Sequence, residues 1–372
     1  MEFRASQPDL SLGLQTAAKA VSSKNTLPIL SGILLRADQN NRLKLTATDL
    51  ELGIECFVPA TVESPGAIVL PSKYFAEIIR RLPSGEIRVS VDPQNFTATV
   101  RWERSKYIIH GFSPDQFPFL PQPHGEPSYS VRQGVLRDLI RQTSFAVSHD
   151  EARPILTGVC LTLTGKQIEM MASDGVRIAY RRGDLAGKVE ASEPIRLVIP
   201  GRTVNELARL LSPNEEDLAS IHLTENQAFF DLGELRVVSR LLDGQYPDVL
   251  RLIPQDYPTR ARLSTQEFHE ACERAALIVR DGSNTIKLGI TPERMTITSS
   301  TPEVGQVYEE LEAIVEGESL EIGLNPKFLS DGLRVLNSEE LLFEFTGPKT
   351  PSLMKADGNE DFIYLVLPIV LW

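Results

Sequence analysis

The chain has 372 residues, of which 42% are hydrophobic and 24% are charged, and its formal net charge is −12 at pH 7. This length predicts two or three globular domains, since it exceeds what one ordinary core holds. No apolar run reaches the roughly 18–20 residues that cross a bilayer, so a membrane-spanning chain is excluded. The acidic balance argues against an ordinary nucleic-acid-binding surface, which is basic.

The N-terminus and the cysteines favour a cytoplasmic protein. The first ten residues, MEFRASQPDL, have no basic start followed by an apolar stretch, so no secretion signal is predicted. Cys56, Cys160 and Cys272 lie far apart and form no Cys-x-x-Cys motif. Three isolated thiols are typical of a reducing compartment, and they indicate neither a disulfide framework nor a zinc site.

The chain opens with a segment that recurs further along. Residues 8–23, PDLSLGLQTAAKAVSS, align with residues 134–149, GVLRDLIRQTSFAVSH, at a shift of 126 (134 − 8). Apolar residues at helical spacing predict an amphipathic helix in each segment. Each helix is followed by a Pro-Ile-Leu phrase, at 28–30 and 154–156, which we expect to enter an apolar, β-branched strand.

A second helix follows in each copy, and this one occurs three times. The segment LPSKYFAEIIRRL (70–82) matches IPGRTVNELARLL (199–211) and GLNPKFLSDGLRVL (323–336). The third copy begins with its own helical segment at 266–282 and keeps only a weak echo, TIKLG (285–289), of the Pro-Ile-Leu phrase. Each copy therefore contains two helices and about eight strands.

Two proline-rich segments predict the joins between the copies. Residues 113–127 hold five prolines and residues 243–260 hold three. Proline lacks the amide N–H that helices and inner strands use, so such segments favour extended connectors. We predict domains at 1–121, 128–254 and 259–372. Short loops between strands favour antiparallel sheets, so the predicted fold class is α+β, with three tandem copies of one domain.

The second helix of each copy carries a basic, an acidic and a basic residue at positions i, i+4 and i+7. This spacing places the three side chains on one helical face, opposite an apolar face that in the first copy holds Tyr74, Phe75, Ile78, Ile79 and Leu82. One interpretation is a solvated face with internal ion pairs. The other, which the threefold recurrence favours, is a shared surface of modest positive charge. The triplets are Lys73, Glu77 and Arg80; Arg202, Glu206 and Arg209; and Lys327, Asp331 and Arg334.

The sequence contains no recognisable catalytic or cofactor-binding motif. There is no P-loop, G-x-G-x-x-G, G-x-S-x-G or H-E-x-x-H pattern, and the five histidines have no ligand-like spacing. The stretch ASDGVR (172–177) could hold an active-site aspartate, but an Asp-Gly turn between strands is the favoured interpretation. We expect a non-catalytic protein without metal or cofactor, while a site assembled across domains stays open.

Six landmarks occur in order along the chain, and with the threefold repeat they resemble one family. They are TLPIL (26–30), LTATDLE (45–51), MMASDGVRIAY (170–180), SRLLDGQYPD (239–248), EIGLN (321–325) and YLVLPI (364–369). The family is the bacterial sliding clamps, the β subunits of DNA polymerase III. The resemblance implies DNA-clamp domains with two inner helices and outer antiparallel sheets. Two chains are expected to close head to tail as a homodimeric ring around duplex DNA.

The resemblance also implies a processivity factor that holds polymerases on DNA without reading its sequence. A threaded ring needs little charge, since six triplets of +1 give +6 against 2 × −12 = −24 for a dimer. Expected partners are duplex DNA, the polymerase III catalytic subunit, an ATP-dependent clamp loader, and other polymerases and repair proteins with clamp-binding peptides. The expected DNA-binding residues are Lys24, Lys73, Arg80, His149 and Arg202 from the resemblance, and Arg209, Lys327 and Arg334 from the internal repeat.

The same resemblance implies a peptide-binding groove between the second and third domains. Its expected residues are Leu156, Gly175, Arg177, Ile178, Pro247, Leu252, Leu365, Leu367, Pro368 and Ile369. The dimer seam should join the first domain of one chain to the third domain of the other. Its expected apolar contacts are Tyr107, Leu277 and Ile278, with Arg104 or Lys106 facing Glu303 as a further expected pair.

The chain departs from the family pattern at its end and in one turn. It ends in LPIVLW (367–372), where many clamps end in Met-Pro-Met-Arg-Leu, so Val370 stands in place of an arginine. Val176 stands where histidine or tyrosine is common. Two other functions remain as alternatives: a three-domain protein-binding scaffold without a DNA role, and an enzyme with a cross-domain site.

Overall fold

The structure, a computed structural model, describes residues 1–21, 27–123, 129–187, 193–279, 284–302 and 304–371. Six α-helices lie within these residues. They are α1 (Gln7–Ala18), α2 (Ser72–Arg81), α3 (Gln133–Thr143), α4 (Gly201–Ala208), α5 (Thr265–Ala276) and α6 (Pro326–Leu333). None of the helices among the described residues is both long and apolar enough to span a membrane.

The strands are short and make up most of the regular structure. The first nine are β1 (Glu2–Ser6), β2 (Gly32–Ala37), β3 (Arg42–Thr48), β4 (Leu52–Pro59), β5 (Thr61–Ser64), β6 (Gly66–Pro71), β7 (Glu86–Asp92), β8 (Thr97–Trp102) and β9 (Ser105–His110). The next eight are β10 (Tyr129–Arg132), β11 (Gly158–Leu163), β12 (Gln167–Ser173), β13 (Arg177–Asp184), β14 (Ile195–Pro200), β15 (Leu218–Leu223), β16 (Gln227–Asp231) and β17 (Leu235–Arg240). The last nine are β18 (Thr259–Ser264), β19 (Ile286–Thr291), β20 (Arg294–Thr301), β21 (Gly305–Glu312), β22 (Ile314–Gly317), β23 (Leu320–Leu324), β24 (Glu340–Phe345), β25 (Ser352–Ala356) and β26 (Phe362–Val366).

These elements form two compact units. The first unit comprises residues 1–133 and 209–241. It holds a five-stranded sheet in the order β5-β1-β7-β8-β9 and an eight-stranded sheet in the order β10-β15-β16-β17-β4-β3-β2-β6. Helices α1 and α2 pack against each other and on the β2–β4 side of the larger sheet.

The second unit comprises residues 134–208 and 242–372. Its larger sheet has nine strands in the order β14-β11-β12-β13-β26-β25-β24-β18-β22, and its smaller sheet has the order β21-β20-β19-β23. In each unit a strand from a later copy joins the sheet of an earlier copy: β17 pairs with β4, and β26 pairs with β13. Because sheets continue across the copies, strands of the middle copy belong to both units.

All strand pairs of the four sheets are antiparallel, for example β3 with β4 and β12 with β13. The predicted α+β class with antiparallel sheets is therefore confirmed. The proposed domain limits stay a prediction, since compactness groups the strands into two units and not three.

The first helices form where the apolar spacing predicts them. In α1, Leu10, Leu14 and Ala17 are fully buried at positions i, i+4 and i+7. The Ser6 hydroxyl caps the helix by accepting a hydrogen bond from the Asp9 amide, and Pro8 stands in the first turn, where its missing N–H costs nothing.

The Pro-Ile-Leu phrase leads into a strand as expected, but it first forms a short 3₁₀ turn of its own. The two turns are Pro28–Ser31 and Pro154–Thr157, and the strand starts at the following glycine. In each turn the last side chain, Ser31 or Thr157, donates a hydrogen bond to the carbonyl of the proline, at 2.6 and 2.7 Å. The echo in the sequence is thus a repeated, self-capped turn.

The glycine that ends each phrase has a packing reason. A Cβ added to Gly32 would lie 2.6 Å from a methyl group of Val69, and one added to Gly158 would lie 2.8 Å from a backbone oxygen of β14. Both backbones have ordinary φ angles of −103° and −107°. The close approach of the neighbouring strand, and not the backbone conformation, therefore requires glycine.

The second helices are shorter than predicted. Helices α4 and α6 have eight residues each, so Arg209 and Arg334 lie one residue beyond a helix end. The apolar face of α2 is confirmed for Phe75 and Ile79, which are fully buried, but it is wrong for Tyr74, which is 60% exposed. Tyr74 follows Lys73 directly, on the solvent side of the helix.

Candidate functional site

The second unit contains a buried apolar cluster that includes three of the ten predicted groove residues. Its members come from the 3₁₀ turn before β11, from β11 to β14, from β26, and from the proline-rich connector after β17. The buried members are Leu156, Cys160, Met171, Ile178, Val198, Tyr246 and Leu365, and partly buried Ile155, Tyr180, Leu242, Val249, Leu250 and Ile253 pack on them. Three predicted groove residues, Leu156, Ile178 and Leu365, thus lie together and form a floor.

Other predicted groove residues lie close along the chain to cluster members and are at least partly exposed. Leu252 is 58% exposed and Leu367 is 37% exposed, while Pro247 is also exposed and Pro368 and Ile369 are half-buried. Full burial of a large apolar side chain is favourable by about 1.5–3 kcal/mol of free energy. The cluster therefore presents a surface on which a partner's apolar side chains would be stabilised.

Tyr246 is a member of the cluster that the sequence did not assign. Its side chain is 2% exposed, and its hydroxyl oxygen accepts a hydrogen bond of 2.8 Å from the Ser173 amide at the end of β12. Burial raises the pKa of Tyr246, so the phenol stays neutral. The signal was present in the sequence, because Tyr246-Pro247 repeats Phe117-Pro118 at a shift of 129 (246 − 117).

The turn between β12 and β13 joins two strands that both contribute to the cluster. A side-chain oxygen of Asp174 accepts hydrogen bonds from the amides of Val176 and Arg177, at 3.0 and 3.1 Å. Gly175 has a φ of +96°, a conformation that favours glycine. The aspartate is thus engaged by its own turn, which agrees with the Asp-Gly turn and not with an active-site carboxylate.

Arg177 is buried and not available at the surface, with 4% of its area exposed. It pairs with Asp174 at 2.9 Å and with Asp331 of α6 at 2.7 Å, and it donates to the Phe145 carbonyl at 2.9 Å. Its guanidinium also lies over the Phe328 ring, 4.5 Å from the centroid. Asp331 is a second participant that the sequence placed elsewhere, in an inner triplet.

The C-terminal segment leaves the sheet after Val366. The Leu367 amide donates to the Val176 carbonyl at 2.9 Å, and the Ile369 amide donates to the Gly323 carbonyl of β23 at 2.8 Å. A Cβ on Gly323 would lie 2.7 Å from the Ile369 oxygen, so glycine permits this close approach. The segment is therefore fixed at two points, and Leu367, at the first of them, keeps its side chain partly exposed.

The predicted DNA-side residues are exposed where the structure describes them. On α2, Lys73 lies beside the Tyr74 ring at 5.7 Å, and Arg80 makes a two-point ion pair with Glu77 at 2.8 and 3.1 Å. The pKa of the Glu77 carboxyl is lowered, mainly by the Arg80 hydrogen bonds. The first triplet therefore carries an internal ion pair, as the first interpretation held, and leaves Lys73 outward.

The other basic residues lie on the second unit and at the end of α4. His149 is exposed in the loop before the second 3₁₀ turn, and Arg202 and Arg209 are exposed at α4. Lys327 pairs with Asp331 at 2.8 Å, and Arg334 approaches Glu273 of α5 at 3.6 Å. Lys24 lies outside the described residues, as does Glu303, the expected acidic member of the seam pair.

The three predicted seam residues lie at accessible positions. Leu277 is 68% exposed just after α5, and Ile278 next to it is half-buried. Tyr107 is half-buried on β9, where Ile108, which the sequence did not assign, is 59% exposed. Strand β9 is the last strand of its sheet, so one of its edges has no partner strand among the described residues.

No group of three or more histidine, cysteine, aspartate or glutamate side chains within the described ranges could hold a metal ion. The cysteines in those ranges are buried and unpaired, and burial raises the pKa of Cys160 and of Cys272.

Comparison with known proteins decides the family. Family models for the N-terminal, central and C-terminal domains of the DNA polymerase III beta subunit match residues 1–121, 130–248 and 250–370 in that order. The chain belongs to the DNA polymerase III beta subunit family. Among curated relatives, the beta sliding clamp of Bacillus subtilis (strain 168) is 37% identical over 380 aligned residues, which cover 99% of each chain. That of Staphylococcus aureus (strain Mu50) is 36% identical over 379, with the same coverage.

Solved structures of family members have the same fold. The DNA polymerase sliding clamp from Bacillus subtilis superposes with a TM-score of 0.95 at 36% identity, and each chain is covered completely. A sliding clamp from Pseudomonas aeruginosa, crystallised with bound griselimycin, gives a TM-score of 0.93 at 29% identity with the same full coverage. The three tandem domains expected from the sequence are therefore confirmed as those of this family.

Proposed function

We propose that this chain is a sliding clamp: a processivity factor that encircles duplex DNA as a homodimeric ring and tethers a DNA polymerase to it. The observation that carries the proposal is the match of three successive beta-subunit domains over nearly the whole chain. The relatives of similar length are beta sliding clamps, and the related structures are DNA polymerase sliding clamps. No observation favours a scaffold without a DNA role.

The charge distribution supports threading over gripping. A protein that holds DNA by charge needs many lysine and arginine contacts to phosphates, and its affinity falls steeply with salt. This chain has a net charge of −12, and two of its inner basic residues, Arg80 and Lys327, already pair with carboxylates of their own helices. Contacts to DNA are therefore weak, which allows the ring to slide.

The groove of the second unit is the proposed site for partner peptides. Its floor of Leu156, Ile178 and Leu365 is fixed by packing, and Leu252 and Leu367 offer exposed apolar area at its rim. A few apolar anchors of about 1.5–3 kcal/mol each, less the cost of ordering a peptide, suit exchangeable micromolar binding. The proposed partners are the polymerase III catalytic subunit, the ATP-dependent clamp loader, and other polymerases and repair proteins.

The proposed dimer seam pairs strand edges of opposite charge. At the edge of the first unit, Arg101 on β8 lies directly opposite Lys106 on β9, and neither side chain has an ion pair in the part of the chain that is described. Strand β21, the edge of the four-stranded sheet in the second unit, carries Glu310 and Glu312. Since like charges directly opposite each other destabilise a sheet, an acidic partner edge would be favourable there.

As an accessory subunit of a polymerase, the chain is proposed to catalyse no reaction itself and to need no cofactor. Its work is mechanical: it closes around DNA, slides along it, and holds partners in its groove. We place it in the cytoplasm, where bacterial replication occurs and where three reduced thiols are stable.

The mass in solution tests the proposal. A ring of two chains predicts a particle of twice 41.3 kDa, measured by light scattering after size-exclusion chromatography at micromolar concentration. Replacing Arg101 and Lys106 with glutamate places like charges across the seam and should shift the particle toward one chain. A wild-type protein that is entirely monomeric at micromolar concentration would contradict the ring.

A further inference from the structure

The resemblance places Arg177 in the peptide groove, yet its side chain is turned away from solvent. Nε donates to Asp174 at 2.9 Å, Nη1 to Asp331 at 2.7 Å and Nη2 to the Phe145 carbonyl at 2.9 Å. The guanidinium lies near two rings, 4.5 Å from the Phe328 centroid and 5.6 Å from that of Phe145. To touch a peptide, Arg177 would have to break two buried ion pairs.

The backbone around Arg177, in contrast, belongs to the groove edge. The Ser173 hydroxyl donates to the Arg177 carbonyl at 2.7 Å, and the Val176 carbonyl accepts from the Leu367 amide at 2.9 Å. In the ladder between β13 and β26, Arg177 stands opposite Val366. Whatever fixes the Arg177 side chain therefore also fixes the turn with Gly175 and the point at which the C-terminal segment is anchored.

Asp331 provides the fixed point on the other side. It lies on α6, which is held to β26 by a hydrogen bond of 3.0 Å from the Tyr364 hydroxyl to the Phe328 carbonyl. The same Asp331 oxygen that binds Arg177 also accepts from Lys327 Nζ at 2.8 Å. Lys327 is largely exposed, whereas the Asp331 and Arg177 side chains are 17% and 5% exposed. The bond between Asp331 and Arg177 is thus the buried one, and it can hold the Arg177 side chain in place.

We propose that Arg177 and Asp331 are positioning residues of the groove: their ion pair holds the turn 174–176 and the Leu367 anchor in the geometry that accepts a partner peptide, and neither side chain contacts the peptide. The inference rests on the proposed peptide-binding function and goes beyond it, since it assigns Asp331, a member of an inner triplet, to the groove. It also assigns Arg177 an indirect role in place of a direct contact.

Substitution of Asp331→Asn separates the positioning role from a direct contact. The asparagine keeps the shape of the side chain but removes its charge, so Arg177 is held less firmly and is freer to reach the groove. A positioning role predicts that peptide affinity falls by roughly tenfold, as expected when a buried charged hydrogen bond is lost. A direct contact by Arg177 predicts unchanged or tighter binding, and that result would overturn the proposal.

The probe is a fluorescently labelled synthetic peptide that carries the clamp-binding segment of the polymerase III catalytic subunit. Its binding to the full-length protein is measured by fluorescence anisotropy. Lys327→Ala is the matched control, because it removes the other donor to the same oxygen from an exposed position. Its dissociation constant should stay within about twofold of the wild type. Asp331→Glu keeps the negative charge, so it should lose less peptide affinity than Asp331→Asn.

A second variant guards against a loss of folding. Arg177→Lys keeps the charge but loses the planar group, so it should weaken peptide binding as Asp331→Asn does. The double variant should bind the peptide no more weakly than Arg177→Lys alone. Affinities are measured well below each melting temperature. A merely structural role would lower the melting temperature and leave the dissociation constant unchanged. If the wild type binds no peptide, the proposed function fails; if it binds and the variants bind equally well, only the positioning role fails.

Discussion

The groove of the second copy and the corresponding place in the first copy share one backbone design. Asp49 binds the amides of its own turn at 2.8 and 3.0 Å, as Asp174 does. The preceding hydroxyl, Thr48 in one copy and Ser173 in the other, donates to a carbonyl four residues on, at 2.9 and 2.7 Å. The repeat has thus preserved the turn and its hydrogen bonds in both copies.

The side chains at these two places differ. Gly53 stands in the first copy where Ile178 stands in the second (178 − 53 = 125). A Cβ on Gly53 would lie 2.6 Å from Leu120, so the connector of the first copy fills its own groove. Only a cavity of about 200 Å³ remains beneath it, lined in part by the ion pair of Lys44 and Glu55. The same backbone design thus carries an apolar cluster in the second copy and a polar, connector-filled place in the first.

The largest expected effect is on peptide affinity, and it should differ between exposed apolar residues of the second copy and of the first. Changing both Leu367 and Ile369 to alanine should weaken peptide binding by roughly ten- to a hundredfold, since each loses part of a burial gain of about 1.5–3 kcal/mol. Phe119→Ala is the matched control: Phe119 is 90% exposed on the connector of the first copy. It should leave the dissociation constant unchanged in the same anisotropy assay. Equal losses in both variants would remove the distinction between the two places.

The turn predicts opposite changes in melting temperature for one substitution in each copy. Leu50 has a φ of +79° at the position of Gly175, where φ is +96°. A non-glycine residue in this conformation costs about 1–2 kcal/mol, and Leu50 is largely exposed. Leu50→Gly should therefore raise the melting temperature, while Gly175→Ala should lower it by a few degrees in differential scanning calorimetry. A lower melting temperature for Leu50→Gly would show that the leucine is stabilising.

A smaller effect tests the hydroxyl of Tyr246, for which the first copy has Phe117. Tyr246→Phe leaves the Ser173 amide without its acceptor in a buried place, at a cost of about 1–3 kcal/mol. The melting temperature should fall, and peptide affinity should fall less than in the Leu367 and Ile369 variant. Tyr74→Phe, which changes an exposed tyrosine, should have no effect. If both phenylalanine variants melt like the wild type, the hydrogen bond to Ser173 contributes nothing.

The smallest effect is a pH dependence. Burial alone raises the pKa of Asp331, but hydrogen bonds from Lys327 and Arg177 hold it below its usual value. A lowered folded-state pKa contributes stability that is complete above the unfolded value of about 3.9. That stability is lost as pH falls through the folded pKa. The difference in melting temperature between wild type and Asp331→Asn should therefore shrink as pH falls from about 5 to 3. A difference that stays constant over this range would argue against the buried pairing.

Much of the fold could be predicted from the sequence, because its signals are local or periodic. The threefold repeat, the helices and the antiparallel class followed from apolar spacing and from shifts of about 125–129 residues. Two details failed for local reasons. The Pro-Ile-Leu phrase closes a 3₁₀ turn through Ser31 and Thr157. Tyr74 turns outward with Lys73, against the apolar pattern.

The groove could be predicted only in part. Leu156, Ile178 and Leu365 were assigned through the resemblance and lie together in one cluster. The links that hold the edge were not visible, since Arg177 meets Asp331 across 154 positions of the chain and Ser173 meets Tyr246 across 73. The spacing of the inner triplets pointed to a helix surface, whereas the Asp331 side chain is largely buried and pairs with Arg177. Such assignments depend on which helix packs against which strand, and one sequence does not specify this.

The threaded ring is the central claim, and retention on circular DNA tests it most directly. The clamp is loaded by its ATP-dependent loader onto nicked circular duplex, the free protein is removed, and the DNA-bound fraction is followed after the circle is cut once. Threading predicts stable retention on the closed circle, even at high salt, and rapid loss from the linear form. Equal retention on the two forms would contradict the account.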